Sequence, residues 1–147
     1  MPRDRPQRPF AVTLLALVGL LLAMLNLTGL AAGLARWSVF APLALTIPLW
    51  ALVALEGVWG ALWLVTAVGL WRLAPWARRL ALIAAPLYAI MIVAQSALLA
   101  EGDYERGRLP FTIVLAILFN VFTVAALAGR GARPARPPQR RILALSP

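Results

Sequence analysis

Long apolar stretches alternate along this chain with short segments in which the arginines collect. A helix needs about 20 apolar residues to cross the ~30 Å hydrocarbon core of a bilayer. Four stretches meet that length: residues 10–35, 41–71, 76–100 and 110–128. The pattern predicts an all-α polytopic membrane protein, with four transmembrane helices in an up-down bundle. Residues 1–9 form a basic N-terminal segment and 10–129 the transmembrane domain. Residues 130–147 form a basic, proline-rich tail whose composition predicts disorder.

Each stretch has its own punctuation. The first is entered from Arg3, Arg5 and Arg8 and ends in a small-residue run at Ala35, as a signal peptide does. Its apolar part is too long for a signal h-region of about 7–15 residues, so it reads as a retained helix. The second exceeds one crossing. Pro42 and Pro48 sit in its opening turns, or separate an interfacial segment over residues 37–48 from the span. Trp50 and Trp71 lie about 31 Å apart at helical rise, matching two interfacial anchors. The turn Arg72 to Pro75 is short, so the second and third helices form an antiparallel hairpin. A bend is expected near Pro86 in the third helix. Residues 101–109 read as the most polar interior loop, ahead of a fourth helix opening at Pro110.

Charge gives this threading a direction. All 14 basic residues are arginine. Eleven fall on one side: Arg3, Arg5, Arg8, Arg72, Arg78, Arg79, Arg130, Arg133, Arg136, Arg140 and Arg141. Arg36, Arg106 and Arg108 fall on the other, beside Glu101, Asp103 and Glu105. The positive-inside rule therefore predicts both termini in the cytoplasm, with Trp71, Trp76, Arg72, Arg78 and Arg79 anchoring the hairpin turn at the headgroups. The net charge of +9 invites a nucleic-acid reading, but arginines placed at the ends of apolar runs fit orientation and anionic headgroups instead.

Composition agrees. The chain is 63% hydrophobic and 13% charged, with a mean hydropathy of +0.86. About 25% charged residues is usual in a soluble domain, so lipid must supply part of the solvent. With 147 residues, one compact domain is expected. Cysteine and histidine are absent. That removes thiol relays, histidine bases, histidine-ligated haem and nearly every zinc site from this chain's own residues. No Gly-x-Ser-x-Gly elbow, P-loop or dinucleotide fingerprint is present. The acids around Glu101–Glu105 lack the length and closing glutamate of a calcium loop. No cofactor and no enzyme activity are predicted.

One ionisable residue lies well inside a span. Glu56 sits about 9 Å below Trp50 at helical rise, where a carboxyl is expected to be protonated, solvated or partnered. Asn26, Gln95 and Asn120 on the other spans are its candidate partners, with Thr28 and Ser96 nearby. Trp59 and Trp63 follow Glu56 on the same face, each with an indole N–H to donate. Such groups serve either as interhelical ties, worth about 0.6 kcal/mol per hydrogen bond, or as a proton-linked site. Small residues are the second signal. Gly29 and Gly33 form a Gly-x-x-x-Gly pair, and Ala77, Ala81, Ala85 and Ala89 a stripe, both permitting close helix approach within the chain or in a dimer.

Three segments carry a resemblance: RPFAVTLLAL (8–17), GLWRLAPWARR (69–79) and LPFTIVLAIL (109–118). They resemble small four-helix integral membrane proteins of bacteria such as the Chloroflexi, a group with no assigned activity. The resemblance covers most of the chain, implies the same topology and carries over no functional residue. The reading that follows is a non-enzymatic accessory or scaffold protein of the bacterial inner membrane, partnered by lipid and by a second copy or another membrane protein. The alternative is a small dimeric proton-coupled transporter using Glu56. Small multidrug exporters share four helices and one intramembrane glutamate, but that glutamate lies in the first helix rather than the second.

Overall fold

A computed structural model describes residues 9–40, 48–98 and 103–128, all of them in helices or short connections. The elements are α1 (Phe10–Ala35), a single turn α2 (Trp37–Phe40), α3 (Leu49–Trp71), α4 (Pro75–Leu98) and α5 (Asp103–Ala128). α1, α3, α4 and residues 107–128 of α5 are each long and apolar enough to cross a membrane. Leucine and alanine dominate them, and both propagate helix well.

Proline sets three of the four starts. Pro9 and Pro48 cap α1 and α3 from extended backbone, and Pro75 is the first residue of α4. A fixed φ and a missing N–H cost nothing where the helix has no acceptor to offer. The second span therefore begins at Leu49, eight residues later than the apolar run at 41; residues 41–47, with Pro42, lie outside the described residues. α4 matches the third run to within two residues at each end, and residues 99–102 lie outside the description. The helix continues through Pro86.

The fourth span corrects the expectation. α5 opens at Asp103, seven residues before Pro110, so the segment read as a loop over 101–109 is helical from 103 onward. Pro110 withholds one bond from the carbonyl four residues back. That carbonyl belongs to Arg106, at the end of the bundle where Gly107 and Arg108 are exposed, and solvent can satisfy it. Proline is therefore a poor marker of where this helix begins.

α3 and α4 join through a Schellman turn. The Ala74 N–H donates to Gly69 O (2.9 Å) and the Leu73 N–H to Leu70 O (3.0 Å). Leu73 holds the left-handed position at φ 57, where glycine is usual. Its side chain compensates by packing on the core formed by Val12, Leu15, Leu70, Ala77 and Leu127. Gly69 is required for a different reason. A Cβ there would lie 2.6 Å from the Ala77 Cβ, so the hairpin closes only without one.

The α1–α3 contact is the most extensive, followed by α4–α5 and then α3–α4, and α5 returns more lightly to α1. Consecutive helices are thus neighbours in a closed ring. Gly19 faces Ala67 while Gly33 faces Val53, so α1 and α3 run antiparallel. Two core clusters stack inside the ring. One is aliphatic, at the end holding the α3–α4 turn; the other, built on Trp59, Trp63 and Tyr88, fills the remaining interior.

Candidate functional site

All four spans contribute to the second cluster. Asn26 of α1, 4% exposed, donates one amide N–H to Leu22 O (2.7 Å) and one to the Tyr88 hydroxyl (2.8 Å). Tyr88 of α4 stands edge-on to Trp59 (5.0 Å between ring centroids) and Trp63 (5.6 Å) of α3. Trp63 in turn meets Phe119 of α5 at 5.7 Å. Edge-to-face pairs contribute about 0.5–1.5 kcal/mol each beyond their buried area. In lipid, where leaving water supplies no drive between helices, such contacts and the Asn26–Tyr88 bond fix which faces meet.

Glu56 lies at the α1–α3 contact. Its carboxyl occupies the space that a side chain at residue 29 would need, since a Cβ on Gly29 would fall 3.1 Å from Oε2. The residue is half-buried, and Tyr88 lies within its electrostatic reach. Among the described residues no hydrogen bond or ion pair joins Glu56 to Asn26, Gln95 or Asn120. The predicted members of the cluster are therefore not tied to Glu56 by hydrogen bonds among the described residues. Asn26 pairs with Tyr88. Asn120 donates to its own helix at Ala116 O (2.8 Å) and lines an outer groove between α4 and α5. Gln95 is half-buried near the end of α4.

The indole N–H of Trp63 also departs from expectation. Trp63 is 1% exposed, and its Nε1 has no acceptor among the described residues, so it does not donate to Glu56. Thr66 and Thr123, both fully buried, turn their hydroxyls back to Leu62 O (2.7 Å) and Phe119 O (2.8 Å). Self-satisfaction of this kind keeps a hydroxyl inside a span at low cost.

Tyr88 is the residue that sequence reasoning missed. It lies three residues after Ala85 and four after Ala84, so it continues the buried small-residue face of α4 and could have been placed by that register. Ala77, Ala81 and Ala85 bury that face within the chain, whereas Ala89 lines the groove. Gly29 and Gly33 likewise serve α1–α3 packing.

The α4–α5 groove has a volume of about 620 Å³. Ala89, Ala94, Ala97 and Ala116 leave it open, Ile113 and Ile117 form its wall, and Asn120 is its polar residue. At the bundle ends, Trp50, Trp71, Trp76, Arg72 and Arg79 are exposed; Arg78 is half-buried. Among the described residues no group of acids is placed to hold a metal ion. No family model, curated protein or solved structure matches this chain.

Proposed function

We propose that this is a non-enzymatic accessory or scaffold protein of the bacterial inner membrane, which receives a helix of a partner membrane protein in the α4–α5 groove. The groove is the observation that carries this reading. It sits on the span that the bundle covers least: the apolar window of α5 is 11% buried, against 33% for α1 and α3. Asn120 spends an amide N–H on its own backbone, which leaves its carbonyl oxygen free to accept from a donor on an incoming helix. Small residues beside one polar group are what close helix association in lipid uses.

The test is a photo-crosslinking residue at Ile117 in the groove, compared with one at Leu21, an exposed position on α1. In native membranes Ile117 is expected to yield one defined protein adduct that Asn120→Leu abolishes, and Leu21 none. Lipid adducts alone from both positions would overturn the reading. A second copy of this chain as the adduct would identify the partner as itself.

Both termini are assigned to the cytoplasm, on the arginine asymmetry. Reporter fusions before Phe10 and after Arg130 are expected to report cytoplasm, and one within residues 102–107 the outside. A cytoplasmic signal from the last would refute the orientation.

The transporter reading retains one specific support: Glu56 reaches the α1–α3 seam beside the Tyr88–Asn26 bond. Glu56→Gln separates the two. A scaffold keeps its Ile117 adduct and its melting temperature in this variant. A transporter folds normally but loses proton-linked uptake in vesicles.

A further inference from the structure

We infer that the arginine-rich end of the bundle holds one phosphate group at Arg78, supplied by the headgroup of an anionic phospholipid. A cavity of about 350 Å³ opens there between the start of α1 (Phe10, Val12), Arg78 of α4 and the end of α5 (Ala125, Leu127). Small-ligand sites begin at about 300 Å³, so the space suits a headgroup with its first methylenes rather than a whole lipid.

Arg78 is the charged side chain in that lining. It is half-buried, while its neighbours Arg72 and Arg79 are exposed. It takes part in no hydrogen bond or ion pair among the described residues. A cation withdrawn from water needs an anion or a set of acceptors. No described carboxylate is near: Glu56 lies within α3, and Asp103 and Glu105 lie at the start of α5, the opposite end of the bundle. A planar guanidinium with five donors matches a phosphate, which can accept two of its N–H groups side by side. The other side chains of the lining are apolar. They disfavour a multiply charged ligand and accommodate glycerol carbons and the first acyl methylenes. This assignment is independent of the partner proposed for the α4–α5 groove.

The test uses the full chain in nanodiscs of equimolar phosphatidylglycerol and phosphatidylcholine, released into mild detergent for native mass spectrometry. The wild type is expected to retain one phosphatidylglycerol in preference to phosphatidylcholine. Arg79→Gln should do the same. Arg78→Gln should lose about tenfold or more in occupancy, as fits the loss of a charge-assisted contact. Ala125→Leu fills the cavity from α5 without touching the arginine and should also expel the lipid, so the assignment does not rest on one variant folding. A parallel arm adds millimolar inorganic phosphate to delipidated protein and reads the melting temperature. A shift lost in Arg78→Gln, without a lipid adduct, would keep the phosphate and overturn the lipid as its source. Equal lipid retention by Arg78→Gln and Arg79→Gln, or no preference for phosphatidylglycerol, overturns the site itself.

Discussion

Where α1 meets α3, side chains have been removed: Gly19, Gly29, Gly33 and Gly60 let the backbones close on Ala67, Glu56, Val53 and Leu27. Where α4 meets α5, Ala89, Ala94, Ala97 and Ala116 border a groove that stays open. A third of the apolar window is buried in each member of the first pair, and only a ninth or so in α5. Burial from water cannot explain the contrast, because lipid tails are as apolar as the side chains they would replace. Closeness explains it. Dispersion falls off within fractions of an ångström, so a helix pair gains from many atoms at contact and little from a loose seam. The glycine-lined pair is complete within one chain. The alanine-lined pair packs less extensively and leaves an open groove between its helices.

The largest effect is therefore expected at the closed seam. A Cβ on Gly60 would lie 2.8 Å from Leu27 Cδ2 and 2.9 Å from its Cγ, and valine adds two methyl groups beyond it. Gly60→Val should cost about 1–3 kcal/mol of stability by overpacking, seen as a lower melting temperature in detergent. Wild-type melting of this variant would mean that the α1–α3 seam is not the rigid half.

Next comes the bond that ties the halves together. Tyr88→Phe removes the acceptor of the Asn26 amide while keeping the ring between Trp59 and Trp63. The expected loss is about 0.6 kcal/mol and at most ~1.7, the range for interhelical hydrogen bonds in membranes. A double-mutant cycle with Asn26→Ala isolates it; a coupling energy of zero would leave the halves tied by packing and the α3–α4 turn alone.

How far the sequence could be read follows the same division. Features written in consecutive residues were legible: the bounds of α1, the hairpin turn with Pro75 opening α4, and the all-α membrane architecture. Pairings across helices were not. Residue type and depth group Glu56, Asn26, Gln95 and Asn120, but depth leaves the rotation of each helix open. These helices are apolar around most of their circumference, so polarity gives no register. Rotation is instead carried by small residues. Read as a face, Ala77, Ala81, Ala84 and Ala85 lead to Tyr88, and Gly29 and Gly33 lead to Glu56 and Val53. Pro110 hides the start of α5, because its usual role as a helix opener does not apply in the third turn of a helix beginning at Asp103.

That start can be tested directly. Gly107 is helical and exposed, and an added Cβ meets nothing within 4 Å. Gly107→Ala should stabilise the protein, by less than ~1 kcal/mol, through helix propensity alone. A loop there would show no gain, and protease resistance around residue 107 would be unchanged.

The smallest expected effect on stability belongs to the groove, and it is the most discriminating. Ala94 is exposed on the groove wall, so Ala94→Leu adds volume where the chain itself leaves space. Melting of the isolated protein should shift by no more than the equivalent of ~0.5 kcal/mol, as for a surface change that breaks no contact. The same leucine would stand where a partner helix must approach, so the Ile117 crosslink should fall sharply. A large loss of stability would mean that α4 and α5 pack as closely as α1 and α3. An unchanged crosslink would mean that whatever reaches Ile117 does not enter the groove. Only the combination of unaltered folding and lost crosslinking fits a bundle with one half closed on itself and the other built to be covered.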